Sequence, residues 1–137
     1  MNTKTFLIGI AGGIVVFLAG YLIYGVLMMD YFVANMTTFP GLVKEPMEIW
    51  AIGVGNIIWG ILLAYILNMG KIDSGIQGAI TGAILFFLFG LGMNFVAFGQ
   101  YNLYTLQLSF VDAFCMALLG GLSGSVIGWL LGRNTSK

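Results

Sequence analysis

The chain has 137 residues, 60% of them hydrophobic and 7% charged, and a net charge of zero. A soluble domain carries about 25% charged residues to cover its surface, so the outside of this molecule is expected to face lipid. The neutral balance excludes a nucleic-acid surface, the lack of histidine excludes haem ligation and histidine acid–base chemistry, and a single cysteine, Cys115, excludes an intramolecular disulfide.

The first apolar stretch covers 6–29. It is too long for the core of a signal peptide, and no small-residue cleavage site leads into a soluble domain, so it reads as a membrane span. About 20 residues cross a bilayer, and three further stretches qualify: 48–69, 75–98 and 108–132. Together they predict one all-α transmembrane domain over 1–137, a four-helix bundle with no room for a separate extramembrane unit. Between spans one and two lies the longest loop, 30–47, where Pro40-Gly41 signals a turn and Pro46 suits the first turn of the next helix. Its Phe32, Val33 and Phe39 are expected to lie on the interface or cap the bundle.

Lys4, Lys71, Arg133 and Lys137 fall on one side of this topology and Lys44 on the other. The positive-inside rule then puts both termini in the cytoplasm and the loops 30–47 and 99–107 outside.

The chain also aligns with itself. At an offset of 70, residues 10–31 lie over 80–101 with identities that include Gly12/Gly82, Gly20/Gly90 and Tyr31/Tyr101, and with Tyr24 over Asn94. Spans two and four match more weakly at an offset of 64, where Glu48 falls on Asp112 and Gly60 on Gly124. Two similar hairpins in parallel repeat are the expectation; the alternative is that glycine-rich apolar helices resemble one another by composition.

Span four carries Asp112, Met116, Gly120, Gly124, Gly128 and Gly132 on one ridge, and span two carries Glu48, Ile52, Asn56, Gly60, Ala64 and Asn68. Glycine inside a helix costs about 1 kcal/mol relative to alanine. In lipid, small residues every fourth position recover that through close backbone packing. The rows therefore predict a helix-packing face, with span four docking on span two, or a homodimer contact as the alternative.

Asp30, Glu48 and Asp112 all sit near the outer boundary. Each reads either as a cap solvated at the interface or as part of an acidic outer vestibule for cations. Asn56, Asn94, Tyr24 and Gln77 read either as interhelical hydrogen-bond partners or as a polar path. Paired cysteines, a phosphate-binding loop and a serine–histidine arrangement are all lacking, so neither catalysis nor a cofactor or metal is expected.

The stretches GYLIYG (20–25), GAITGAILFFLFGLGMNF (78–95) and FVDAF (110–114) resemble small bacterial four-helix membrane proteins catalogued as domains of unknown function. The resemblance runs over the whole chain and implies this architecture in a bacterial inner membrane. It brings no activity, cofactor or catalytic residue. Passage or binding of a small solute or ion is the functional expectation; the alternative is an accessory or scaffold subunit whose glycine faces dock other helices.

Overall fold

The structure, a computed structural model, describes residues 2–135; Lys137 lies outside the described residues. Helix α1 (Thr3–Leu22) runs into a π-helical turn (Ile23–Leu27) and then the short α2 (Met29–Asn35). The remaining helices are α3 (Ile49–Met69), α4 (Gly75–Gln100) and α5 (Leu106–Thr135).

Polar residues start most of them. Asn2 Oδ1 accepts from Thr5 N at 2.8 Å, Ser74 Oγ from Gln77 N at 3.2 Å, and Thr105 Oγ1 from Leu108 N at 3.1 Å, each satisfying a donor that has no partner within its helix. At α3 the cap position is Glu48, with no side-chain cap bond, so Pro46 precedes the helix instead of standing in its first turn. The turn at Pro40-Gly41 does form: Leu42 N donates to Phe39 O at 3.1 Å, and Gly41 takes φ +85°, which glycine adopts without steric cost.

Four stretches, Thr3–Leu27, Ile49–Met69, Gly75–Gln100 and Leu106–Arg133, are long and apolar enough to cross a membrane. They match the expected spans to within a few residues at each end. Large apolar side chains lie on the outside of every one of them, Leu18, Ile58, Ile76, Leu88 and Leu118 among others. A helix apolar all round belongs in lipid or in a large core. The chain reads as a multi-pass membrane protein.

Across the bundle the order is α3, α1, α5, α4. Helix α1 packs on α3 where Gly9 and Gly13 meet Gly60: a Cβ on Gly60 would run into the backbone of both. Helices α4 and α5 pack the same way along a longer line. Added Cβ atoms at Gly120, Gly124, Gly128 and Gly132 would strike the carbonyl oxygens of Gly82, Gly78, Ser74 and Asp73 in turn.

The glycine row of span four is thus a contact face within the chain, but its partner is α4 and not span two. Residues 101–105 turn α5 back antiparallel to α4, and α4 with its cap carries small residues of its own four apart, Ser74, Gly78 and Gly82, which meet the row backbone to backbone. Gly60 of α3 is already taken by α1.

Helix α1 closes on α5 through Gly12, beside Ile127, and through Ser123 Oγ, which donates to Gly12 O at 3.0 Å. Val16, Leu63, Leu67, Phe86, Leu119 and Ile127 fill the centre. By contrast α3 and α4 touch sparsely, and Trp59 stands between them with its ring edge-to-face on Phe86 and Phe89 at 5.7 and 4.7 Å. At the loop end of the bundle, Thr37 N donates to Leu103 O at 2.9 Å, and Met36 and Tyr104 form an isolated antiparallel bridge that joins the two loops.

Candidate functional site

Asp112 lies nearly two turns into α5, half-buried, on the face where α1 and α4 both approach. Its Oδ1 accepts from the Tyr24 hydroxyl at 2.8 Å, and its Oδ2 accepts from Asn94 Nδ2 at 2.6 Å. The same amide also donates to Ser109 O at 3.1 Å. One carboxylate therefore joins three helices, and each of its oxygens takes a donor from a different neighbour.

Local structure aims these groups. Tyr24 belongs to the π-helical turn, where Met28 N bonds back to Ile23 O at 2.8 Å. The extra residue in such a turn re-aims the side chains that follow, and π turns recur at functional sites. Phe32 of α2 folds back against the Tyr24 ring, edge-to-face at 5.2 Å between centroids. Gln107 Nε2 donates to the Tyr31 hydroxyl at 3.0 Å and ties α2 to α5.

Asp112 pairs with no lysine or arginine among the described residues. Among the described residues the one ion pair is Lys44 with Glu48 at 3.6 Å, out on the loop and exposed. Taking a carboxylate out of water is costly unless it is paired and hydrogen-bonded; here hydrogen bonds are its only protein partners. Tyr104, from the loop between α4 and α5, feels the same charge. Burial pushes its phenol above the ordinary tyrosine range, and the neighbouring Asp112 carboxylate pushes it in the same direction.

The other expected site residues lie elsewhere. Asp30, in the first turn of α2, is exposed, and Glu48 is exposed with Trp50 Nε1 donating to it at 2.6 Å. The three acids have no partner in common, so Asp112 stands in the site without the other two. Asn56 Nδ2 donates to Ile52 O of its own helix at 2.8 Å, so it is satisfied locally. Gln77 is exposed in the first turn of α4, at the opposite end of the bundle from Asn94. Of the four candidate path residues, Tyr24 and Asn94 come together.

Sequence reasoning missed Tyr104, Ser109 and Phe32 as members of this site. It held one usable signal: Tyr24 and Asn94 fall on each other in the internal alignment, and they flank Asp112 from its two sides. Among the described residues no group of three or more acids and cysteines is placed to hold a metal ion. Set against protein families, curated proteins and solved structures, the chain matches none of them.

Proposed function

We propose that this protein is a non-enzymatic membrane protein that binds a small monovalent cation, with Asp112 supplying the charge and Tyr24 and Asn94 orienting its carboxylate. The observation that carries the reading is a half-buried carboxylate whose protein partners are hydrogen-bond donors and which lacks a basic residue. A carboxylate has about four lone-pair sites, so both oxygens retain room for a cation beside their donors. The aromatic faces of Tyr24 and Phe32 extend the choice to a small organic ammonium ion. The absence of a multi-carboxylate cluster among the described residues argues against a divalent metal.

The packing at the centre supports binding over conduction through one copy. Val16, Phe86, Leu119 and Ile127 are buried between Asp112 and the opposite end.

Topology and repeat belong to the same reading. We take both termini as cytoplasmic from the charge distribution over the loops, and the membrane as a bacterial inner membrane from the resemblance to small bacterial four-helix proteins. The chain reads as two similar hairpins, and what supports this is that aligned positions of α1 and α4 serve the same helix. Gly12 and Gly82 both face α5, as do Gly20 and Gly90.

A second reading has its own support. Asp112 already has both oxygens engaged, and Gly53, Gly55 and Gly92 of α3 and α4 face open space, as glycines for docking another helix would. In that reading Asp112 is a clasp within a scaffold or accessory subunit, acting alone, as a homodimer or with other membrane subunits. Thermal unfolding in nanodiscs, titrated with sodium, potassium or methylammonium chloride at constant ionic strength, separates the two. Cation binding predicts a rise in unfolding temperature with one of these salts that Asp112→Asn abolishes. A clasp predicts that Asp112→Asn lowers stability equally in every salt, with no cation-dependent rise in the parent protein.

A further inference from the structure

The bundle's other end carries a second feature. Where the four spans start and stop, a cavity of about 520 Å³ opens among α1, the α3–α4 turn and the last turns of α5. Lys4, Lys71 and Asp73 line it together with the apolar Ile8, Ile72 and Leu131. None of the three charged side chains has an ion-pair partner among the described residues, and the nearby Arg133 is engaged over the Trp129 ring at 4.7 Å.

Lys71 is the one non-glycine residue with positive φ among the described residues, at 53°, while Gly70 beside it takes an ordinary φ of −74°. A left-handed backbone is cheapest for glycine. Here the lysine holds that conformation and the glycine does not.

Position and chemistry identify an occupant. Lys4 lies one residue inside the start of the first span, and Lys71 lies two residues past the end of the second. That is the depth of lipid phosphates, where lysines snorkel with their stems on apolar surface. The volume lies in the range that takes small organic ligands, about 300–1,000 Å³. Two positive groups and one negative group match a phosphate that carries an amine. The apolar lining suits the glycerol and first methylenes beyond it.

We propose that this cavity binds the headgroup of an amine-bearing phospholipid, its phosphate on Lys4 and Lys71 and its ammonium on Asp73. The test is native mass spectrometry of the full chain in detergent, with phosphatidylethanolamine and phosphatidylglycerol of the same acyl chains added in equal amounts. The parent protein retains the ethanolamine lipid in preference by about threefold to fivefold, the worth of one partly exposed ion pair. The double variant Lys4→Gln/Lys71→Gln loses retention of both lipids. Asp73→Asn keeps a bound lipid and loses the preference. Because that preference is a ratio read within one sample, reduced folding yield does not imitate it. Equal retention by the double variant overturns the proposal, as does preference for phosphatidylglycerol. Free O-phosphoethanolamine binding as well as the lipid would overturn the lipid as the source.

Discussion

Gly78 and Gly124 touch backbone to backbone: a methyl group on either would strike the carbonyl oxygen of the other. Gly82 and Gly120 repeat the arrangement one turn along. Reciprocal approach of this kind makes Cα–H···O contacts in both directions and admits dispersion contact between helices that gain little from burying apolar surface in lipid. The glycine row therefore belongs to the physics of holding the bundle together, and substitutions along it should sort by what each new methyl meets.

Gly124→Ala and Gly60→Ala meet backbone, which cannot move aside. Each should cost about 1–3 kcal/mol, as overpacking does in tight interiors. Gly12→Ala meets side chains, Ile127 and Ser123 Oγ, and not backbone, but Ile127 is fully buried and stiff at χ1, so its cost should fall within the same range. Gly53→Ala and Gly92→Ala face open space within helices and should be neutral or stabilising by up to about 1 kcal/mol. Helicity followed during thermal unfolding in detergent gives the ranking. Equal gains at Gly124 and Gly92 would show that helix propensity, and not contact, governs these positions.

The spans were legible in the sequence because their signal is bulk hydropathy over some twenty residues, which survives any detail of packing. The glycine row was legible as a contact face for a similar reason, since spacing by four defines a ridge. Its partner was not. Gly60 made α3 look complementary to α5 in register, but ridge periodicity is silent on which of several small-residue faces will meet. Connection length does not decide it either, since five residues join α3 to α4 as well as α4 to α5 and only the second pair packs closely. The site divided along the same line. Tyr24, Asn94 and Asp112 each stand out as polar residues in apolar helices, but their depths along the spans point to two different roles. Their meeting depends on a π-helical turn, which leaves no mark in hydropathy. Asn56 looked equivalent to Asn94 and differs only because a carbonyl of its own helix satisfies it.

The two donors on Asp112 act on one acceptor, so their removal should not be additive. Tyr24→Phe and Asn94→Ala should each cost about 1–2 kcal/mol, the range for hydrogen bonds of this kind between membrane helices. In an Asp112→Asn background the amide has one acceptor oxygen, so at least one of the two donors loses its partner in advance. The corresponding substitution should then cost less. A double-mutant cycle read by denaturant titration reports this coupling. Full additivity would mean that Asp112 is not the shared partner in the folded protein.

Tyr104 gives the molecule an alkaline limit. Its phenol is raised in the folded state by burial and by the Asp112 charge. As pH climbs past the ordinary tyrosine value, the unfolded chain releases this proton first. The unfolded state then binds fewer protons than the folded one, and stability falls with rising pH. The contribution is fully present below the unfolded value and lost as pH rises through the raised folded value. Unfolding temperature measured from neutral to strongly alkaline pH should fall less steeply in Tyr104→Phe than in the parent. Identical slopes would indicate that the phenol is not buried beside Asp112 in the folded protein.

Lys71 offers the sharpest separation of stability from binding. Its left-handed backbone costs roughly 1–2 kcal/mol for an ordinary residue, and glycine would remove that cost while adding about 0.5–1 kcal/mol of chain entropy in the unfolded state. Lys71→Gly should therefore stabilise the protein by roughly 0.5–1 kcal/mol in lipid-free detergent, the difference between these two effects. In detergent supplemented with phosphatidylethanolamine the order should reverse or close, because the parent gains from the lipid what the variant cannot. Unfolding temperatures of the two proteins with and without the lipid provide the comparison. A variant less stable than the parent even without lipid would show that the lysine is retained for a contact within the chain, and the cavity would lose its claim to a ligand at that residue.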